Sequence, residues 1–245
     1  MKSNVSFNSS LSKFGIGLFE TIRVEEEAID LDLHMERLFN SIRELKLNIE
    51  YNIEFLKSEI LKYIINNEVC NKALRITVFD EGYNISTRDI PYNNEIYKNG
   101  IKLNISSIRR GNSILYKHKT TNYFENIYTK NTAVENGFDD GIFLDTNDVV
   151  LECSMSNIFF IKDKTVFTPH KNLPILNGTI KKRISDICGE LNIELIETEI
   201  KISEIEDFEF SFVTNSLMKA IKVSKIEDVS YEKNNELFDR ILAYL

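Results

Sequence analysis

Hydrophobic periodicity changes repeatedly along these 245 residues and never settles into a strict strand–helix–strand rhythm. Leu18 to Val24 alternates and reads as a strand, Glu25-Glu26-Glu27 turns it, and residues 28–31 return. From Leu33 the spacing becomes helical: Leu38, Ile42 and Leu45 share a stripe, which predicts a helix over 33–47. A second helix is expected over 53–65, and strands over 74–79 and 101–108. Further on, a helix over 121–136 ends at Gly137, strands follow at 142–145, 158–162 and 165–168, and Pro169 stops the last of these. Residues 179–191 read as a helix, 194–198 as a strand and 237–245 as a closing amphipathic helix. Phe208 to Val213 is a nearly continuous apolar run, which suits the buried centre of a sheet. Such mixing without a strict rhythm predicts an α+β chain with substantial antiparallel pairing.

Length suits one large domain or two modest ones. Arg109-Arg110-Gly111-Asn112-Ser113 is polar, with Gly and Asn. It is the expected linker (109–115) between an N-terminal domain at 1–108 and a larger C-terminal domain at 116–245. A formal charge of −8 argues against nucleic-acid partners and leaves local basic spots for small anions. No apolar run is long enough to span a membrane, and Met1 to Val5 carries no secretion signal. Cys70, Cys153 and Cys188 lack paired spacing and read as reduced, mostly buried thiols, which places the expectation in the cytoplasm. His118 and His170 stand at no metal-ligand spacing from a cysteine or carboxylate, so no metal is expected.

The chemistry concentrates in a few stretches. Lys119 stands in His118-Lys119-Thr120-Thr121-Asn122-Tyr123, and about thirty residues later Glu152 runs into Cys153-Ser154-Met155-Ser156-Asn157 and an apolar strand. A lysine for an aldehyde, an acid for a ring nitrogen and a cradle for a phosphate are what pyridoxal phosphate (PLP) requires. Lys119 reads equally as a solvated surface lysine, with Lys117 as its rival, and Glu152 as an exposed strand glutamate. For the phosphate, Gly178 lets the backbone bend close to a ligand, and the helix after it points free N–H groups at an anion. Lys181, Lys182 and Arg183 fill its first turn against the helix dipole, a penalty that a bound anion would offset. Thr214-Asn215-Ser216 offers donors at a strand end, or an ordinary turn. Arg37, sharing a helix face with His34, is either a dianion partner or the mate of Glu36 or Glu44 in a surface ion pair.

Taken in order, these stretches resemble the class IV aminotransferases, the fold-type IV PLP enzymes. The resemblance rests on Phe14-Gly15-Ile16-Gly17-Leu18-Phe19-Glu20-Thr21-Ile22-Arg23, on His34-Met35-Glu36-Arg37-Leu38 with Ser41, and on Lys119-Thr120-Thr121-Asn122-Tyr123. It continues through Glu152 to Phe159, Leu176-Asn177-Gly178-Thr179-Ile180 and Thr214-Asn215-Ser216-Leu217-Met218, and so covers nearly the whole chain. The resemblance implies two α/β domains of the D-amino acid aminotransferase-like architecture, with PLP in the cleft between them, and a homodimer. It implies Lys119 as the covalent and catalytic lysine, Glu152 at the pyridine nitrogen and Tyr123 near the ring hydroxyl. It implies Arg37, the backbone at Thr179 and Ile180, and Asn215 with Ser216 at the phosphate. The substrate would be a small amine. Thr214 to Met218, Asn177-Gly178 and Gly82-Tyr83 look most like the family's 4-amino-4-deoxychorismate lyases; an aminotransferase acting on D- or branched-chain amino acids is the alternative. Arg75 and Arg109 are the candidates for substrate carboxylates. Thr179-Ile180 reverses the family's common Ile-Thr order, Ile16 stands where Asp is frequent, and Lys222 where many members have Pro.

Overall fold

A computed structural model describes residues 1–245, which divide into two compact units. The first comprises Met1–Pro91 together with His118–Tyr123; the second comprises Tyr92–Lys117 and Phe124–Leu245.

The first unit contains α1 (Ser10–Phe14), β1 (Gly17–Val24), α2 (Leu31–Glu44), α3 (Ile53–Asn66), β2 (Lys72–Phe79) and β3 (Gly82–Asp89). Its three strands form an antiparallel sheet in the order β1-β2-β3. Strand alternation sends Leu18, Ile22 and Val24 to one face, where they meet Met35, Leu38 and Ile42 of α2 and Leu56, Ile60 and Ile64 of α3. Leu56 and Ile60 are fully buried, each worth about 1.5–3 kcal/mol relative to exposure. The strand expected to return over 28–31 is a single bridge, Val24 to Ala28. Asp30 adopts φ +54 as the N-cap of α2, which turns the chain into the helix at Leu31.

The segment His118–Tyr123 lies along β1. Phe19 N–H donates to Lys119 O at 3.0 Å, Thr121 N–H donates to Gly17 O at 2.9 Å, and Leu18 bridges Thr120. This pairing explains why the helix expected from residue 121 begins only at Phe124: the backbone hydrogen bonds at Lys119 and Thr121 go to β1.

The second unit contains α4 (Asn94–Asn99), β4 (Ile101–Arg110), α5 (Phe124–Glu135), β5 (Asp140–Asp145), β6 (Val150–Cys153), β7 (Asn157–Lys162), β8 (Thr165–Pro169), α6 (Thr179–Glu190), β9 (Leu195–Thr198), β10 (Phe210–Asn215), β11 (Lys219–Ile226), β12 (Val229–Ser230) and α7 (Glu236–Leu242). Its nine-stranded sheet runs β6-β5-β4-β11-β10-β7-β8-β9, with β12 beside β11. The β4–β5, β4–β11 and β8–β9 pairs are parallel and the rest antiparallel, in keeping with the α+β expectation. β10 takes the central place foreseen for the Phe208 to Val213 run, and Phe210, Phe212 and Val213 are fully buried. Strands β6 and β7 are far apart in the sheet order, yet a tight turn joins them, with Cys153 N–H donating to Ser156 O at 2.8 Å. The sheet therefore curls, and the turn carries Glu152 toward the loop ahead of α6.

The domain limits differ from the expected ones. Arg109 and Arg110 are the last residues of β4, a strand inside the large sheet, so they are not a linker. Residues 92–117 consequently pack with the second unit and residues 118–123 with the first. Local polarity signalled a loop, whereas sheet pairing decided the structure. No helix is long and apolar enough to cross a membrane, and all three cysteines are free, Cys153 and Cys188 buried and Cys70 exposed.

Candidate functional site

In the first unit, strand alternation places the chemistry on both faces of β1. Phe19 points away from the α2–α3 core, and Lys119 Nζ lies 4.6 Å from the centre of its ring. Tyr123 packs edge-on against Phe19 at 5.2 Å, and Lys119 Nζ lies 5.3 Å from the Tyr123 ring. The Arg75 guanidinium covers Phe19 at 3.7 Å, and burial lowers its pKa. Lys119 is therefore half-buried beside two aromatic rings, which fix where its amine lies.

On the opposite face Glu20 sits among apolar side chains, which is costly for a lone carboxylate. α2 supplies the compensation. Arg37 clamps Glu20 through Nε (2.8 Å) and a terminal nitrogen (2.6 Å), and His34 Nδ1 approaches at 2.7 Å. A carboxylate only accepts, so His34 Nδ1 carries the hydrogen. Burial would raise the Glu20 pKa, but the Arg37 charge and the hydrogen bonds from Arg37 and His34 outweigh it and lower it to about 2. Arg37 thus pairs with Glu20, rather than with Glu36 or Glu44 as its surface reading required. Beside Lys119, His118 Nδ1 lies 2.9 Å from Ser41 Oγ and fixes that segment to α2.

In the second unit the centre is Glu152, buried near the end of β6. One oxygen accepts from Arg110 at 2.7 Å; the other accepts from Leu176 N–H at 3.0 Å and from Asn157 Nδ2 at 3.4 Å. Asn157 also donates to Leu176 O at 2.8 Å, so one amide ties the acid to the loop that leads into α6. That closeness requires glycine at 178, the N-cap of α6: a Cβ there would meet Asn157 Oδ1 well inside van der Waals contact. Replacing Gly178 with Ala is expected to displace the Asn157 amide and to cost about 1–3 kcal/mol, measurable as a lower urea midpoint with unchanged slope.

Thr179 and Ile180 open α6, whose N-cap makes no side-chain hydrogen bond. The three cations after them are not arrayed for an anion. Lys181 is buried, donates to Pro169 O at 2.5 Å and lies 3.5 Å from Glu197; burial lowers its pKa and Glu197 opposes the shift. Lys182 pairs with Asp186 at 3.0 Å, and Arg183 donates to Tyr244 O at 3.4 Å. The dipole penalty read from the sequence is met by these internal partners. Asn215 is likewise engaged: Oδ1 accepts from Leu217 and Met218 N–H, both at 2.9 Å, and Nδ2 donates to Tyr92 and to Met155 O. Its side chain builds the turn that presents Ser216. Thr214, one residue earlier, is opposite Asn157 in the β7–β10 register, so both side chains leave the same face of the sheet. Its hydroxyl is buried without a hydrogen-bond partner.

Sequence reading gave no role to Glu20 and Asn157, although both stand in the stretches that carry the resemblance, nor to Arg110 and its second carboxylate partner, Glu125 of α5, at 2.6 Å. Glu20 was legible as a charge within an alternating apolar strand. Arg110 was hidden inside an apparent linker, and nothing local announces that it ends a buried strand. Arg109, the neighbour considered for a substrate carboxylate, instead donates to Ser106 O at 2.9 Å and pairs with the exposed Asp148 at 3.3 Å.

Residues 17–226 match the family model described as amino-transferase class IV. Relatives include a Bacillus subtilis aminodeoxychorismate lyase, 29% identical over 89% of this chain and 80% of its own length. A Rickettsia felis protein assigned as a branched-chain-amino-acid aminotransferase is 30% identical over 84% of this chain and 74% of its own. Among solved structures, a Legionella pneumophila protein assigned as a 4-amino-4-deoxychorismate lyase superposes with a TM-score of 0.90 at 25% identity, covering 99% of this chain and 94% of that one. The chain belongs to the class IV aminotransferase family. Its architecture is the fold-type IV one, and its relatives are enzymes named as aminotransferases and as a lyase.

Proposed function

We propose that this protein is a PLP-dependent 4-amino-4-deoxychorismate lyase, which converts its substrate to 4-aminobenzoate and pyruvate. The observation that carries the cofactor reading is the second-unit cluster around Glu152. A buried carboxylate held by Arg110, an α6 N-terminus without a side-chain cap and a buried hydroxyl without a partner fit a ligand with a cationic ring nitrogen at one end and a phosphate at the other. The lyase choice is supported by the Bacillus relative, by the nearly end-to-end Legionella superposition, and by the stretch Thr214 to Met218.

In this reading Lys119 binds the aldehyde carbon, Glu152 the ring nitrogen and Tyr123 the ring hydroxyl. Arg37, the backbone N–H groups of Thr179 and Ile180, and the turn at Asn215 and Ser216 hold the phosphate. When bound, the cofactor draws electron density from the carbon that bears the substrate amine. Lys119 would serve as the general base that takes the proton from this carbon. Phe19 and Tyr123 flank the Lys119 amine and hold it in place beside β1. Glu152, held in place by Arg110 at 2.7 Å, would stabilise positive charge on the ring. Loss of enolpyruvate as pyruvate and aromatisation to 4-aminobenzoate balance with no second substrate.

The protein acts in this reading as a cytoplasmic homodimer. Phe124, 77% exposed on α5 and stacked with Tyr128, supports a covered surface there, and light scattering should return twice the monomer mass. Supplied with aminodeoxychorismate and no keto acid, the PLP-loaded protein should release aminobenzoate; loaded protein that releases none excludes the lyase. The Rickettsia relative favours the second reading, an aminotransferase for D- or branched-chain amino acids. Its signature is conversion of bound PLP to the pyridoxamine form by an amino acid, reversed by 2-oxoglutarate.

A further inference from the structure

Arg110 is only 2% exposed, yet it does not form a simple ion pair. Its guanidinium meets Glu152 through one terminal nitrogen at 2.7 Å and Glu125 of α5 through Nε at 2.6 Å. It lies over the ring of Phe143 at 3.6 Å and that of Tyr116 at 4.4 Å, and Tyr116 OH donates to Glu125 at 3.3 Å. Two carboxylates share one guanidinium, which leaves the cluster with one negative charge in excess. The neighbouring groups do not cancel that charge. Lys181 has its own carboxylate in Glu197, Tyr116 is kept neutral by burial, and the Cys153 thiol is kept neutral by burial and by Asp140. A lone buried guanidinium beside Glu152 would neutralise it; a second carboxylate on the far side of the same guanidinium prevents that.

We infer that Glu125, acting through Arg110, keeps one net negative charge at Glu152 for a protonated pyridine-type ring nitrogen, with Arg110 as the positioning residue. This inference rests on the PLP reading above, which assigns Glu152, held by Arg110, to the ring nitrogen but gives Glu125 no part. Charge arithmetic predicts opposite effects of the two neutralising substitutions. Glu125→Gln brings the cluster to zero and disfavours the ring cation. Arg110→Gln brings it to −2 and favours retention of the proton by the ring–Glu152 pair. A purely architectural role would move both variants alike, or neither.

The test loads wild type, Glu125→Gln, Arg110→Gln and Arg110→Lys with PLP carrying 15N at the ring nitrogen and follows its NMR shift against pH. Absorbance gives the cofactor occupancy of each sample. The protonation midpoint should fall by about one unit in Glu125→Gln, rise by a similar amount in Arg110→Gln, and stay near wild type in Arg110→Lys. Loaded protein whose midpoint is unmoved in Glu125→Gln, or moves the same way in both Gln variants, overturns this inference and leaves the cofactor assignment standing. Wild type that takes up no PLP overturns the assignment and this inference together. Should Arg110→Gln not fold, the Glu125→Gln and Arg110→Lys arms still decide.

Discussion

Lys119→Ala should lower turnover by about 1000-fold or more, within the range spanned by loss of a general base, and should abolish covalent capture of PLP. The segment carrying Lys119 is fixed by its backbone: Phe19 N–H holds Lys119 O, Thr121 N–H holds Gly17 O, and Ser41 holds His118. Truncation at Cβ therefore leaves the segment in place and removes only the amine. The expected variant is a folded protein with the thermal midpoint of wild type, able to retain PLP non-covalently through the other cofactor contacts, but without the long-wavelength absorbance of a lysine-bound cofactor. Lys117→Ala, its rival two residues away, should leave both properties unchanged. Equal losses in the two variants would move the chemistry away from Lys119.

Glu20→Ala should be the most destabilising single change in the first unit, at about 3–5 kcal/mol, because it leaves His34 and Arg37 without the carboxylate they share. The pair is also a pH sensor of stability. The Glu20 pKa is lowered from 4.5 to about 2 in the folded chain, so its contribution is present above the unfolded value and is lost as pH falls through the folded one. A shift of that size corresponds to roughly 3 kcal/mol. Urea midpoints for wild type should hold above about pH 5 and decline steeply toward pH 2, whereas Glu20→Gln should lack the Glu20 share of that decline. Because Arg37 is the proposed phosphate ligand and Glu20 fixes its fork, Glu20→Gln should also weaken PLP binding even at neutral pH, where the fold persists.

The parts of this architecture that local pattern controls were legible in the sequence. β1, α2, α3 and α6 follow from periodicity, because each buries one stripe or face, and β10 from its continuous apolar run, because both of its faces are buried. β3 was missed since residues 86–89, Ser86-Thr87-Arg88-Asp89, are polar and exposed, and only pairing to β2 makes them a strand. The domain boundary was misplaced for a related reason: the polarity of Arg109-Arg110 is real, but Arg110 satisfies it with the buried Glu152 and the half-buried Glu125 rather than with water. Within the site, the order of motifs singled out Lys119, Glu152 and Gly178. The partners that tune them, Arg110 for Glu152 and Glu20 for Arg37, lie 42 and 17 residues away along the chain, and no local signal joins them. The cations of α6 illustrate the converse. Lys181 and Arg183 seemed to await an anion, yet each has a partner that only the folded chain brings near, and Lys182 pairs with Asp186 one turn along its own helix.

Borohydride reduction of the PLP-loaded protein, followed by peptide mapping, tests the central claim most directly. A phosphopyridoxyl group fixed on the peptide containing Lys119, and absent from it in Lys119→Ala, is the predicted result. A modification mapped to Lys117, Lys181 or scattered surface lysines, or none at all, would contradict it.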